Sequence, residues 1–318
     1  HVVSLTRTVV SEMEEEDILN AIDRGQYEGG AQGRHWTLDP IDGTKGFLRG
    51  EQYAVCLALI EDGEVVVGVL GCPHFPVSRT NDEGEAENVA PGCLLAAAVG
   101  CGANMGILGQ PLTEDVNELG WRLAVSTESN PAKARITESV ESGHSSHTDA
   151  AQIAALLGTT IPSLRMDSQC KYAAVARGDA SVYLRLPTRP GYVEKVWDHA
   201  SGTLLVHESG GTVTDVRGRP LDFSRGRGLS GNLGVVATNG LLHSRVLAAV
   251  RAVLFPVTPF YVQIEGKTPP SEEALRRAIA SALKLDVDCV AVEIADDDSS
   301  VESSVDDDDN DNDVEDKK

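Results

Sequence analysis

The sequence predicts an α/β chain built in layers, an α+β arrangement of sheets and helices, and three observations predict it. Apolar runs of strand length recur between turn signals. Runs with helical spacing alternate with them through the second half. The composition is rich in glycine, at 31 residues, and poor in aromatics, at 4%, so the core is aliphatic and the turns are many. With 318 residues, 41% of them hydrophobic, the chain is long enough for one or two domains with cores of their own.

In chain order, residues 1–35 are mostly polar, with Met13, Ile18 and Ile22 spaced for one short helix over 12–22. Trp36-Thr37-Leu38 reads as a strand that Asp39-Pro40 ends. Residues 53–60 (YAVCLALI) and 64–70 (EVVVGVL) read as strands joined by the hairpin signal Asp62-Gly63. Residues 75–91 are loop-like, and 93–99 and 104–108 read as a further strand pair. The apolar stretch 92–109 carries five glycines and Asn104, which fits two buried strands rather than a membrane span.

From Trp121 a second unit is expected. It comprises a strand at 123–126 (LAVS), a helix within 146–157 and a helix closing through 173–176 at Gly178. A strand at 180–186, a helix over 200–209 closed by Gly210-Gly211, a strand at 234–237 and a helix over 241–254 follow. The expected organisation is a partial N-terminal α+β domain over 1–120 and a C-terminal α/β domain over 121–255. An appendage over 256–295 (strand 261–264, helix 271–283, strand 289–294) has no assigned role, and 296–318 is a disordered acidic tail. The tail lacks the Gly and Glu register of an EF-hand calcium loop.

The net charge is −22; residues 296–318 carry −10 of it, and the remainder carries −12. So acidic a body is expected to bind no nucleic acid, because phosphate backbones need a basic surface. A small anion is not excluded, since a bound divalent cation reverses the local field. No membrane segment and no signal peptide stand in the sequence, and the expected location is the cytoplasm. Cys56, Cys72, Cys93, Cys101, Cys170 and Cys289 form no CxxC pair and are expected to be reduced and mostly buried.

Two segments carry chemistry. In Asp39-Pro40-Ile41-Asp42-Gly43-Thr44 a strand end, a fixed proline and a permissive glycine let Asp39, Asp42 and the Ile41 carbonyl converge on one hard cation. The Thr44 hydroxyl follows, placed to orient a water. A plain Asp-Gly turn is the simpler reading of the dipeptide, though not of the hexamer after an apolar strand. In Trp197-Asp198-His199-Ala200-Ser201-Gly202, Asp198 is either a helix N-cap or a further metal ligand, and the small residues after it would let a phosphate approach the backbone. No Cys-x5-Arg loop stands in the sequence, and Cys170 has no motif that would make it a nucleophile.

Together these segments resemble the inositol monophosphatase superfamily, with its D-P-(I/L)-D-G-T and W-D-x-A-(A/S)-G motifs. The likeness covers residues 23–255. The run 27–50 (YEGGAQGRHWTLDPIDGTKGFLRG) narrows it to the 3′(2′),5′-bisphosphate nucleotidases, which include the lithium-sensitive salt-tolerance phosphatases. Gly143-His144-Ser145-Ser146-His147, Asp167-Ser168-Gln169-Cys170-Lys171-Tyr172 and Val182-Tyr183-Leu184-Arg185-Leu186 match that family's G-H-S-S-H, D-S-Q-x-K-Y and V-Y-L-R-L.

The resemblance implies a sugar-phosphatase-like αβαβα sandwich. It implies metal ligation by Asp39, Ile41, Asp42 and Asp198, with Asp42 and Thr44 catalytic. It also implies substrate contacts from Gly43, Thr44, His144, Ser168, Lys171, Arg185 and Asp198. Two or more Mg2+ ions would serve hydrolysis of 3′-phosphoadenosine 5′-phosphate, or its phosphosulfate, in sulfate metabolism by a monomer. Inositol monophosphatase or inositol polyphosphate 1-phosphatase activity is the sibling alternative. A non-catalytic pseudoenzyme and an interaction role for the tail are the others. The family's upstream G-E-E segment, whose Glu is a metal ligand, and its partner Asp have no counterpart. Glu14-Glu15-Glu16 lies too close to Asp39 and reads as a solvated helix face. The sandwich is therefore expected to be incomplete at its N-terminus, with exposed core and weak or absent activity.

Overall fold

Apolar strands separated by tight turns place the first half of the chain in one antiparallel meander. The computed structural model describes residues 1–77, 92–110, 120–141, 146–189, 191–256 and 271–283, with Val290 and Val292. The chain divides into two compact units, His1–Leu254 and Phe255–Lys318. In the first, two short helices, α1 (Val2–Thr6) and α2 (Glu15–Arg24), precede the sheet. The sheet runs β1 (Arg34–Asp42), β2 (Ala54–Glu61), β3 (Glu64–Cys72), β4 (Cys93–Ala98), β5 (Gly102–Ile107) and β6 (Trp121–Arg122), paired in that order. The β2–β3 hairpin turns at Asp62-Gly63, both at positive φ.

The second sheet has the order β10-β11-β9-β7-β8. Its strands are β7 (Ile136–Glu138), β8 (Leu164–Arg165), β9 (Val182–Arg185), β10 (Thr212–Thr214) and β11 (Val235–Thr238). β7 is parallel to β8 and β9, while β11 is antiparallel to β9 and β10. Helices α5 (Cys170–Ala176) and α6 (Ala200–Glu208) lie between the two sheets, touching β3 on one side and strands of the second sheet on the other. Helices α4 (His147–Leu157) and α7 (His243–Leu254) pack on each other, and α7 also packs on β11.

The order of layers is sheet, helix pair, sheet, helix pair. The core fills the space around α5 and α6, which are buried throughout except at the exposed His207 and the partly exposed Glu208 of α6. On the opposite face of the first sheet Trp36, Leu38 and Val55 stand 57%, 54% and 40% exposed.

Several boundaries differ from the sequence reading. The strand expected at 123–126 is instead β6, at 121–122. Leu123 N–H gives a last bond to Ala103 O (2.8 Å). Val125 N–H then bonds Ser209 O (3.0 Å), so the chain leaves the sheet for the end of α6. The first predicted helix is displaced to Glu15–Arg24, and a short helix, α3 (Thr44–Arg49), follows the Asp-rich turn. In the second unit the expected helix is present as α8 (Glu272–Leu283). The expected strands at 261–264 and 289–294 and the tail from 296 lie wholly or mostly outside the described residues.

Candidate active site

A regular strand would send Asp39 and Asp42, three residues apart, to opposite faces. β1 avoids this with a bulge. Asp39 pairs with Cys56 and Asp42 with Ala54, so β1 holds one residue more than β2 over that stretch. The extra residue, beside Pro40, turns both carboxylates toward one side. Asp198 approaches from the second half of the chain, at the end of a 3-10 turn (Val196–Asp198) just before α6. Carboxylate oxygens of Asp39, Asp42 and Asp198 all lie within 4.8 Å of one another.

Asp198 is not the N-cap of α6. His199 occupies that position, and no side chain caps the helix there. The capping alternative for Asp198 is therefore removed, and its convergence with the other two carboxylates stands.

The three carboxylates open onto a pocket of about 320 Å³, lined also by Ile41, Thr44, Ser168, Lys171, Arg185 and Tyr192. Thr44 donates to Ile41 O (3.3 Å), and Ile41 N–H donates to Asp39 Oδ1 (3.1 Å), which fixes the turn from within. Gln169 N–H donates to Asp42 Oδ2 at 2.5 Å.

Crowding shows in the electrostatics. Burial raises the carboxyl of Asp198 to about 6, and Asp42 adds to this against the opposing pull of His199. Burial raises Asp39, assisted by Asp198, and raises Asp42 despite the nearby Lys171 ammonium. Three acids that resist ionisation together, with only oxygen donors among them, suit a hard divalent cation. A second group, Glu194, Asp198 and His199, is also close enough to share an ion. There, however, Glu194 is already neutralised. It takes Arg185 through both carboxylate oxygens (2.9 and 3.1 Å) and lies 3.2 Å from His199 Nε2. Burial opposes its charge, but the His199 and Arg185 interactions hold its carboxyl at about 2.

Positive charge enters from two residues. Lys171 is buried, and its ammonium donates to Ser168 O (2.7 Å) and Met166 O (3.2 Å), leaving one of its three N–H groups. Burial lowers it to about 8, with Asp42 pulling the other way. Arg185 gives two N–H groups to Glu194, and Tyr192 lines the same pocket. Ser168 stands at φ 64°, a left-handed turn that starts α5 against Gly43.

Of the residues singled out in the sequence, Asp39, Ile41, Asp42, Gly43, Thr44, Ser168, Lys171, Arg185 and Asp198 thus share one pocket. His144 lies outside the described residues. Sequence reading gave no role to Gln169, Glu194, His199 or Tyr192. An acid four residues before Asp198 and a histidine directly after it were the available signals.

The sequence profile of the inositol monophosphatase family matches residues 4–254. Over 246 residues the chain is 47% identical to the 3′(2′),5′-bisphosphate nucleotidase of Emericella nidulans, covering 76% of this chain and 69% of that one. It is 48% identical to the enzyme of that name from Oryza sativa, over 74% of this chain and 64% of the other. The Schizosaccharomyces pombe enzyme of that name is 45% identical, over 75% and 65%. The aligned part therefore spans about two thirds of the length of these relatives. Among solved structures, the Thermotoga maritima IMPase superposes with a TM-score of 0.52 at 24% identity, covering 80% of each chain. The Staphylococcal IMPase-II superposes at 0.51 and 19%, covering 74% of this chain and 81% of the other. These two likenesses bear on the fold. With its bulged Asp39–Asp42 turn, its Asp198 segment and these relatives, the chain belongs to the inositol monophosphatase family, among the 3′(2′),5′-bisphosphate nucleotidases.

Proposed function

We propose that this chain carries the active site of a Mg2+-dependent 3′(2′),5′-bisphosphate nucleotidase, which releases phosphate from 3′-phosphoadenosine 5′-phosphate. The observation that carries the reading is the meeting of Asp39, Asp42 and Asp198 in the pocket that Lys171 and Arg185 also line. The three carboxylates and the Ile41 carbonyl would hold two or more Mg2+ ions. These would lower the pKa of a bound water and offset charge on the phosphoryl oxygens. The chain's own residues do the rest. The Thr44 hydroxyl, tied to the Ile41 carbonyl, is positioned to orient a water near Asp42. The remaining N–H of Lys171 and those of Arg185 not used by Glu194 can receive the phosphate that is not cleaved. A planar ring, Tyr192, stands beside Arg185, where a nucleoside can lie.

The test is phosphate release from 3′-phosphoadenosine 5′-phosphate by the purified chain and by Asp42→Asn. The expected result is release that requires Mg2+ and falls by at least about a hundredfold in the variant. Equal release by both forms, or faster release from inositol phosphates, would overturn the reading.

A further inference from the structure

One buried side chain ties the two halves of the candidate metal site together. Gln169 is 2% exposed. Its backbone N–H donates to Asp42 Oδ2 at 2.5 Å, and its side-chain amide makes two further bonds. Nε2 donates to the Trp197 carbonyl (2.8 Å), and Oε1 accepts from the Gly202 N–H (2.8 Å). Trp197 immediately precedes Asp198 in the 3-10 turn, and Gly202 lies in the first turn of α6, four residues after it. The amide therefore grips the backbone on both sides of Asp198, while the same residue's N–H holds the carboxylate of Asp42. Its orientation is fixed by its partners, since a carbonyl can only accept and an N–H can only donate.

The surroundings leave these bonds no substitute. The first N–H groups of a helix have no partner within the helix, and α6 has no side-chain cap at His199. Gln169 supplies one from another element. Its own position is set by Ser168, whose φ of 64° turns the start of α5 toward the β1 bulge. Asp42 and Asp198 come from opposite halves of the chain, and no hydrogen bond found among the described residues joins them directly.

We infer that Gln169 is a positioning residue. It fixes the spacing between Asp42 and Asp198 and thereby sets the affinity of the carboxylate cluster for divalent cations. The inference rests on the metal-dependent reading of the site but concerns binding rather than turnover. Groups that orient metal ligands from behind change metal affinity by roughly tenfold to a hundredfold when removed, because the ligands lose their preset geometry.

The experiment measures Mn2+ binding by electron paramagnetic resonance of the free ion, with thermal unfolding run beside it. It compares the wild-type chain with Gln169→Met, Gln169→Asn and Asn239→Leu. Gln169→Met keeps size and the backbone N–H but loses the amide, and Gln169→Asn keeps the amide with a shorter reach. Asn239 is the control. It is equally buried and makes the same kind of bonds, to Ser126 O (2.9 Å), Glu128 O (2.7 Å) and Leu242 N (3.2 Å), away from the pocket. The expected result is a dissociation constant raised roughly tenfold to a hundredfold in Gln169→Met and by less in Gln169→Asn. Asn239→Leu should lower the melting temperature while leaving Mn2+ affinity within about twofold.

Wild-type affinity in either folded Gln169 variant would overturn the inference and leave the metal reading intact. So would an equal loss of affinity in Asn239→Leu. A wild-type chain that binds no Mn2+ would overturn both. If Gln169→Met does not fold, Gln169→Asn carries the comparison.

Discussion

At Gly43 the backbone takes φ 81°, and a Cβ built there would stand 2.9 Å from Ser168 Cβ and 3.1 Å from Ser168 N. A side chain at this position meets two costs together. The left-handed conformation costs an L-residue about 1–2 kcal/mol, and the contact is with a buried turn that cannot rotate away. Gly43→Ala is expected to destabilise the chain by roughly 2–3 kcal/mol in urea unfolding. It is also expected to weaken Mn2+ binding, because Asp42 is the next residue. An unchanged unfolding midpoint would show that the Ser168 turn yields. The same contact explains what the sequence made legible. Asp39, Asp42 and Asp198 could be found because a short motif fixes residue type and spacing locally. Gln169 stood inside a matched motif but drew no role, since its bond to Asp42 spans 127 positions. Glu194 escaped for a similar reason, because its meaning lies in Arg185 and His199, which the fold delivers.

Helix α7 carries a titrating group at its first residue. His243 faces two threonine hydroxyls, with Nε2 at 3.0 Å from Thr214 Oγ1 and Nδ1 at 3.1 Å from Thr238 Oγ1. Thr214 gives its proton to Asp215 O, so toward His243 it accepts, and Nε2 carries the hydrogen. Nδ1 is then free to accept from Thr238, an arrangement that serves the neutral ring. Burial lowers the pKa of His243, and His207 nearby lowers it further. Unfolding therefore takes up a proton in acid. This contribution to stability is complete above the ordinary value of 6.5, declines as pH falls through it, and stops changing below the lowered folded value. Urea midpoints are expected to drop between pH 7.5 and 5.5, and to drop less in His243→Gln, whose amide can serve both threonines. Equal slopes in the two proteins would remove the assignment. Among elements, long strands with an apolar face, such as β2 and β3, were readable. Strands of two or three residues, such as β8 and β10, offer too few positions for an alternation to stand out. Helix α3 was missed because a six-residue helix with Gly46 inside it has neither the length nor the composition of one.

The layering of the first unit also sorts its thiols. Sequence reading anticipated alternating strands and helices, and hence layers. The implied αβαβα sandwich put a helix layer between two sheets, but nothing in the sequence said that α5 and α6 would fill it, because such burial depends on pairings made between distant strands. Cys56, Cys72, Cys93 and Cys170 all lie in that sealed interior, on the inner face of the first sheet and on α5, while Cys101 is exposed. Hydrogen bonds to Cys170 and Cys93, together with burial, push the Cys72 thiol up, and burial with the neighbouring Asp42 raises Cys56. Four sulfurs shut away from solvent make the interior a set of built-in clocks for opening. With iodoacetamide followed by mass spectrometry, Cys101 is expected to label within the reagent's own reaction time. The other four should label only as fast as the layers part, and together if they part as one body. Early labelling of Cys72 or Cys170 in the native chain would contradict that. Divalent cation should delay all four by stabilising the closed form. Any additional delay at Cys56 alone, whose sulfur lies 3.7 Å from Asp42 Oδ2, would measure how often the site loosens by itself.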